Sequence, residues 1–224
     1  EAHTSHHGSG GSSGNHGRKE STMPNWVYNT LTVSGDKEQV AKFTEQAEKP
    51  GLFTTEGQSI SKLSFANFVR PDESIMDEYW GEEPRKASLE EAMRFESNHW
   101  YDWNMRNWGV KWDANDVYTD TNTNGTEAQY EYNTAWSPAI EVFYAMVQQF
   151  PELSFELRYA EEQGWGGELH GEGGTHWIVD EWDIPSTHKE RMEHFGYCHC
   201  DEMRADEMEW AYEDCPKKKE MSNA

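Results

Sequence analysis

The residues best suited to bind or react fall into a few short clusters. Trp108, Lys111 and Trp112 lie in an NWGVKW run, where two indoles and an ammonium can line a ligand surface or brace a helix-to-strand junction. Trp136 precedes Ser137-Pro138, a strand end followed by a helix start whose free N–H groups can hold an anion or simply be capped. Glu161 and Glu162 stand before Gln163-Gly164-Trp165. Adjacent residues of a regular strand point to opposite faces, so this carboxylate pair suits catalysis only if a bulge realigns it. His194, Cys198, Cys200 and Cys215 (or His199) are the residue types of a structural zinc site. Their C-x-C spacing is tighter than the C-x2-C of ordinary zinc knuckles, and reduced unliganded thiols or a disulfide are the competing readings. His170, Glu172 and His176 are close enough in sequence for a metal or acid–base group, or for ordinary turn and edge residues.

These residues need elements to position them. Trp26–Val33 alternates and reads as a strand, and Ser34 or Asp36 can cap a helix over 37–48 with Val40, Phe43 and Ala47 on one face. SFANFV (64–69) reads as a short strand. Ser88 before Leu89-Glu90-Glu91 signals a helix over 89–108, ended by Gly109 as the left-handed residue, with 110–112 as a strand. Lys111 is expected to project away from Val110 and Trp112. A polar loop (119–125) leads to a strand over 128–136 with Tyr130, Tyr132, Thr134 and Trp136 on one face. Ser137-Pro138 then opens a helix over 138–149, buried through Ile140, Phe143, Met146, Val147 and Phe150. A strand over 153–162, a glycine bend and β segments at 168–170 and 175–182 follow, and 185–215 reads as helical and acidic. Strands alternating with short helices in this order predict an α+β ferredoxin-like sandwich, an antiparallel sheet with helices on one face and the other open or covered by inserts. The expected organisation is a flexible Gly/Ser/His-rich tail or tag remnant (1–22), a domain over 23–184 with an insertion around 52–108, and an acidic Cys-containing extension (185–224).

Composition restricts the function classes. Asp plus Glu number 42 against 19 Lys plus Arg, a formal net charge of −23, yet 13% of residues are aromatic. Direct nucleic-acid binding is not expected of so acidic a chain, disorder throughout conflicts with the aromatic content, and no apolar run suits a membrane span. The charge is uneven: six acidic and no basic residues lie over Asp113–Glu141, and twelve acidic against three basic over Asp180–Asp214. Three cysteines form no disulfide framework, and their scarcity suits a reducing bacterial cytoplasm. No GxSxG, HExxH, P-loop or dinucleotide fingerprint is present, so the expectation is not an enzyme and no cofactor, with a structural zinc the alternative.

Three stretches, MPNWVYNTLTVSG (23–35), NWGVKWDANDV (107–117) and YNTAWSPAIEVFYAMVQQFPELSFELRYAEEQGWGGELHG (132–171), together resemble the YubB-like ferredoxin-fold proteins of bacteriophages and conjugative plasmids. The resemblance implies the fold and a mobile-element origin, and it implies no activity. With the charge map it leads to a non-enzymatic accessory factor that binds a host or phage protein. A basic DNA-binding host protein is the expected partner class, met by acidic faces that imitate nucleic acid in an anti-defence role. The alternatives are a small-ligand or nucleotide-binding module, with or without enzymatic activity, built on Trp108, Lys111, Trp112, Trp136, Glu161, Glu162 and Trp165, and a structural phage protein.

Overall fold

The computed structural model describes residues 24–54, 60–197, 212 and 214–216. Strand β1 (Trp26–Ser34) alternates as its sequence demands, with Val27, Leu31 and Val33 fully buried. Asp36 then caps α1 (Lys37–Ala47) by accepting the Glu38 N–H at 2.9 Å, and Val40, Phe43 and Ala47 form the buried stripe. A long segment with short helical turns follows: one 3-10 turn at Phe65–Asn67, another at Glu73–Ile75, then α2 (Met76–Tyr79), α3 (Leu89–Ala92) and α4 (Trp100–Asn107). The chain returns through β2 (Asn115–Thr121) and β3 (Glu127–Ala135), and crosses by α5 (Ile140–Gln149) to β4 (Ser154–Glu161), β5 (Gly166–Glu172) and β6 (Thr175–Trp182). Helix α6 (His188–Phe195) follows, started by a capping box in which Thr187 and Glu190 satisfy each other's backbone N–H groups.

The six strands form one antiparallel sheet in the order β2-β3-β1-β4-β5-β6. Its first four strands, with α1 and α5 as crossovers, are the ferredoxin-like arrangement, and β5–β6 extend it past β4. One face is the core. Phe43 of α1 meets Tyr130 of β3 at 5.8 Å, Phe155 of β4 at 5.7 Å and Phe150 at 5.2 Å, all edge-to-face. The segment between α1 and β2 joins the same face, because Phe65 packs on Tyr132 and Phe68 stacks on Phe43. Asp113 fastens this segment to the start of β2, accepting from the Ser64 hydroxyl at 2.5 Å and the Phe65 N–H at 2.6 Å.

Several local expectations give way to tertiary structure. The single helix over 89–108 is two helices, with Phe95 at φ 50° between them. Leu89 and Met93 are 78% and 66% exposed, so the first half has no core to bury its stripe in. The Ser97 hydroxyl and N–H both bond Asp102, which gives the backbone a local alternative to helix. VKW (110–112) is a bend, not a strand: side chains of Ser137 and Asn104 take the Gly109 and Lys111 carbonyls. SFANFV contains a 3-10 turn, not a strand. Strand β2 takes in the start of the expected polar loop. Ser137 does not cap α5, which begins two residues after Pro138 with Ala139 as its N-cap residue. Gly109, by contrast, does take the left-handed position after α4, at φ 76°.

Candidate functional site

Most of the aromatic and acidic residues singled out above gather at one end of the sheet, where β1 starts and β3 and β4 finish. Trp26 pairs with Ala135, and Val27 with Glu161. Asn25 ties the two sides together: its carbonyl accepts the Trp136 N–H at 3.0 Å, and its amide donates to Glu161 Oε1 at 2.7 Å. Glu161 is buried and also accepts the Gln163 N–H at 2.6 Å, while Glu162 is exposed, so the two carboxylates diverge as strand geometry dictates. Trp112 lies 6.4 Å from Trp26, and Lys111 does not point away from it. The Lys111 ammonium sits 4.4 Å over the Trp112 ring and 5.5 Å from that of Tyr101, in cation–π range. Trp136 is 53% exposed and takes φ 71°, which turns its indole out of the row that buries Tyr130, Tyr132 and Thr134.

Trp108 is elsewhere. It is fully buried between Phe65 and Trp103, and its Nε1–H donates to the Val69 carbonyl at 2.8 Å, so it belongs to the core. Trp165 packs edge-on to Tyr159 and lines a cleft of about 400 Å³ with Gly166, Glu181, Trp182 and Asp183, a cleft that Trp112 and Trp136 do not line. Burial first, then the Glu181 carboxylate, holds the Tyr159 phenol above its ordinary range. Of the zinc candidates, Cys198 and Cys200 lie outside the described residues. The His194 ring stacks on Trp182 at 4.7 Å, and Cys215 is buried and in no disulfide among the described residues. His170 and His176 diverge: His176 stacks on Tyr144 of α5, on the core side, while His170 projects from the other face.

That other face carries residues that no short sequence motif marks. The strand register aligns two rows of side chains across all six strands. One runs Tyr118, Glu131, Thr30, Arg158, Glu168, Asp180, and the other runs Asp120, Gln129, Thr32, Glu156, His170, Trp177. With strands about 4.8 Å apart, each row spans about 24 Å. Tyr28, Tyr118 and Trp177 are 53%, 64% and 45% exposed on this face, and the two rows themselves hold five carboxylates and a single arginine. Arg158 donates to the His194 carbonyl at 2.6 Å and lies 4.9 Å over the Trp182 ring, so α6 rests on one corner and leaves the β2–β3–β1 part uncovered by described residues. The signal was present in the alternation itself. Once Tyr130 and Tyr132 face the core, Gln129 and Glu131 must face away.

Residues 107–201 match the family model described as the ferredoxin-like domain in Api92-like protein. No curated protein matches the chain. A crystal structure of the protein Api92 from Yersinia pseudotuberculosis is similar at 9% identity and a TM-score of 0.42, over 73% of this chain and 99% of that one. The matched residues run from the end of α4 through β6 and α6, and β1 with α1 completes the sheet they build. Over residues 107–201, less than half of its length, the chain is thus similar to the ferredoxin-like domain in Api92-like protein.

Proposed function

We propose that this chain is a non-enzymatic binding protein whose outer sheet face, uncovered by described residues over β2–β3–β1, docks on a basic surface of a protein partner. The observation that carries the reading is the pair of side-chain rows crossing that face, where exposed tyrosines and a tryptophan stand among Asp120, Glu131, Glu156, Glu168 and Asp180. Aromatic rings offer large contact area at low entropic cost, and carboxylates held on paired strands keep a fixed spacing. A face of this sign repels phosphate and favours Lys/Arg-rich grooves, so the fitting partner class is a basic DNA-binding protein. In the phage or plasmid setting implied by the YubB-like resemblance, occupying such a groove in the host cytoplasm would be an anti-defence role.

Salt-dependent capture tests this. The wild-type chain should retain DNA-binding proteins from bacterial lysate at low ionic strength and release them at high salt or on adding duplex DNA. The D120K/E131K variant, changed only at exposed positions, should lose the capture. Equal capture by wild type and variant would remove the face from the argument.

The small-ligand reading has its own support in the cleft beside Trp165, where Glu181 and Asp183 flank the Trp165 and Trp182 indoles. Aromatic walls with carboxylates suit a cationic organic ligand. Stabilisation by such ligands that W165A abolishes, with no captured protein, would favour that reading instead.

A further inference from the structure

We propose that Glu156, Glu168 and His170 form a binding site for a divalent transition cation, with Zn²⁺ the best match. The β4–β5 register sets His170 directly opposite Glu156, and Glu168 lies two residues from His170 on the same face of β5. His170 Nε2 is 2.9 Å from Glu168 Oε1 and 3.9 Å from Glu156 Oε2, and one ligand atom from each residue falls within 4.8 Å of the others. Zinc bonds of about 2.0–2.2 Å in a tetrahedron put neighbouring ligand atoms about 3.3–3.5 Å apart. The present separations lie within about 1.5 Å of that spacing, and the paired strands hold the three residues on one face.

The surroundings also fit a cation. Glu168 splits its oxygens: Oε1 faces His170, while Oε2 is 3.4 Å from Arg158 Nη1, so the guanidinium fixes the carboxylate from behind as an outer-shell partner does. The positive charge of Arg158 is already engaged by Glu168, by the His194 carbonyl and by the Trp182 ring. The His170 ring is packed by Trp177, its cross-strand neighbour, with centroids 6.0 Å apart. Glu156 remains exposed, which leaves the fourth position open to water or to a donor atom from outside. One imidazole with two carboxylates selects Zn²⁺ over Mg²⁺ and Ca²⁺, which favour all-oxygen sites. The site does not depend on the docking reading, and its test uses residues that the D120K/E131K variant leaves intact.

Calorimetric titration of the full chain with Zn²⁺ alone, against a competing chelator, tests the site. The N-terminal histidines and the Cys198–Cys215 stretch can take up zinc as well, so the readout is the difference between variants. Wild type should bind one equivalent more than H170A, and E156Q, which keeps shape and removes charge, should weaken that equivalent at least tenfold. The thermal shift that this equivalent produces should disappear with it. Identical isotherms for wild type, H170A and E156Q would overturn the proposal and assign all bound zinc to the other histidines and cysteines. Equal displacement of the Zn²⁺ by Mg²⁺ would overturn the assigned class of cation.

Discussion

Replacing Trp108 distinguishes a core residue from a binding residue. Its side chain is fully buried, in edge-to-face contact with Phe65 and Trp103 at 5.9 Å each, and its N–H satisfies the Val69 carbonyl. An indole of this kind buries about 150–250 Å². At about 25 cal/mol per Å² that is roughly 4–6 kcal/mol, an upper estimate because the unfolded chain is itself partly compact. Large-to-small core substitutions of Trp cost about 3–5 kcal/mol, so W108A should lose about 4 kcal/mol. For a domain of this size, at about 2–4 °C per kcal/mol, Tm should fall about 8–16 °C. W108F keeps most of the ring and loses the donor to Val69, and it should cost about 2 kcal/mol. Urea denaturation followed by far-UV circular dichroism measures both, with an unchanged slope confirming that the same fold unfolds. A loss below about 1 kcal/mol in W108A would refute the burial argument. Near-wild-type stability with abolished partner capture would return Trp108 to the binding surface.

The close packing of α5 on β5 makes a second, sharper prediction. A Cβ on Gly171 would meet Val147 Cγ2 at 2.3 Å and Cγ1 at 2.9 Å, so G171A should cost about 1–3 kcal/mol, with V147A added as second change restoring part of it; additive losses in the double-mutant cycle would show that the two positions do not touch. Asp102 makes a third. Burial alone would raise its carboxyl, but hydrogen bonds from Lys86 and Ser97 outweigh that and lower it, so its folded pKa lies below the unfolded value of about 3.9. Its stabilising contribution is therefore present above about pH 4 and lost as pH falls through the folded value. K86M strands the buried carboxylate and should cost about 3–5 kcal/mol at neutral pH, a difference that narrows in acid; chemical denaturation at two pH values reads it, and a variant as stable as wild type at neutral pH would sink the assignment.

The fold was legible where one face of an element is apolar and the other polar. Val40, Phe43 and Ala47 announce α1, Phe143, Met146 and Val147 announce α5, and Phe155, Leu157 and Tyr159 announce β4. Legibility failed where strand pairing and particular side-chain hydrogen bonds decide. Strand β2 reads NDVYTDT and is exposed along most of its length, because as an edge strand it pairs on one side only. The break between α3 and α4 depends on Asp102 capturing Ser97, and on Arg106 donating to the Phe95 and Ser97 carbonyls. The candidate site was half legible. Trp112, Trp136 and Glu161 do meet around Asn25 and Trp26, yet the rows on the open face and the Glu156–Glu168–His170 group need the register, which no local motif encodes.

The register also divides the work of the negative charge. An edge strand offers unpaired backbone groups to other chains, and charge or bulges on it discourage that pairing. At the β2 edge, Asp116 sits at φ 50° in a bulge between Asn115 and Tyr118, and Asp120 follows two residues past Tyr118. Those two aspartates are accounted for in part by edge protection. Glu131 and Glu156 are on interior strands, where no edge needs guarding, and they are exposed on a face that a monomer could cover with neutral polar residues. The interior carboxylates thus carry more of the argument for a basic partner than the total of −23 does. The β6 edge makes the contrast visible. It keeps Trp177, Ile178 and Val179 about half exposed with no charge between Thr175 and Val179. Acid is therefore not spread uniformly as a solubilising coat, and its placement on interior strands calls for a reason specific to that face.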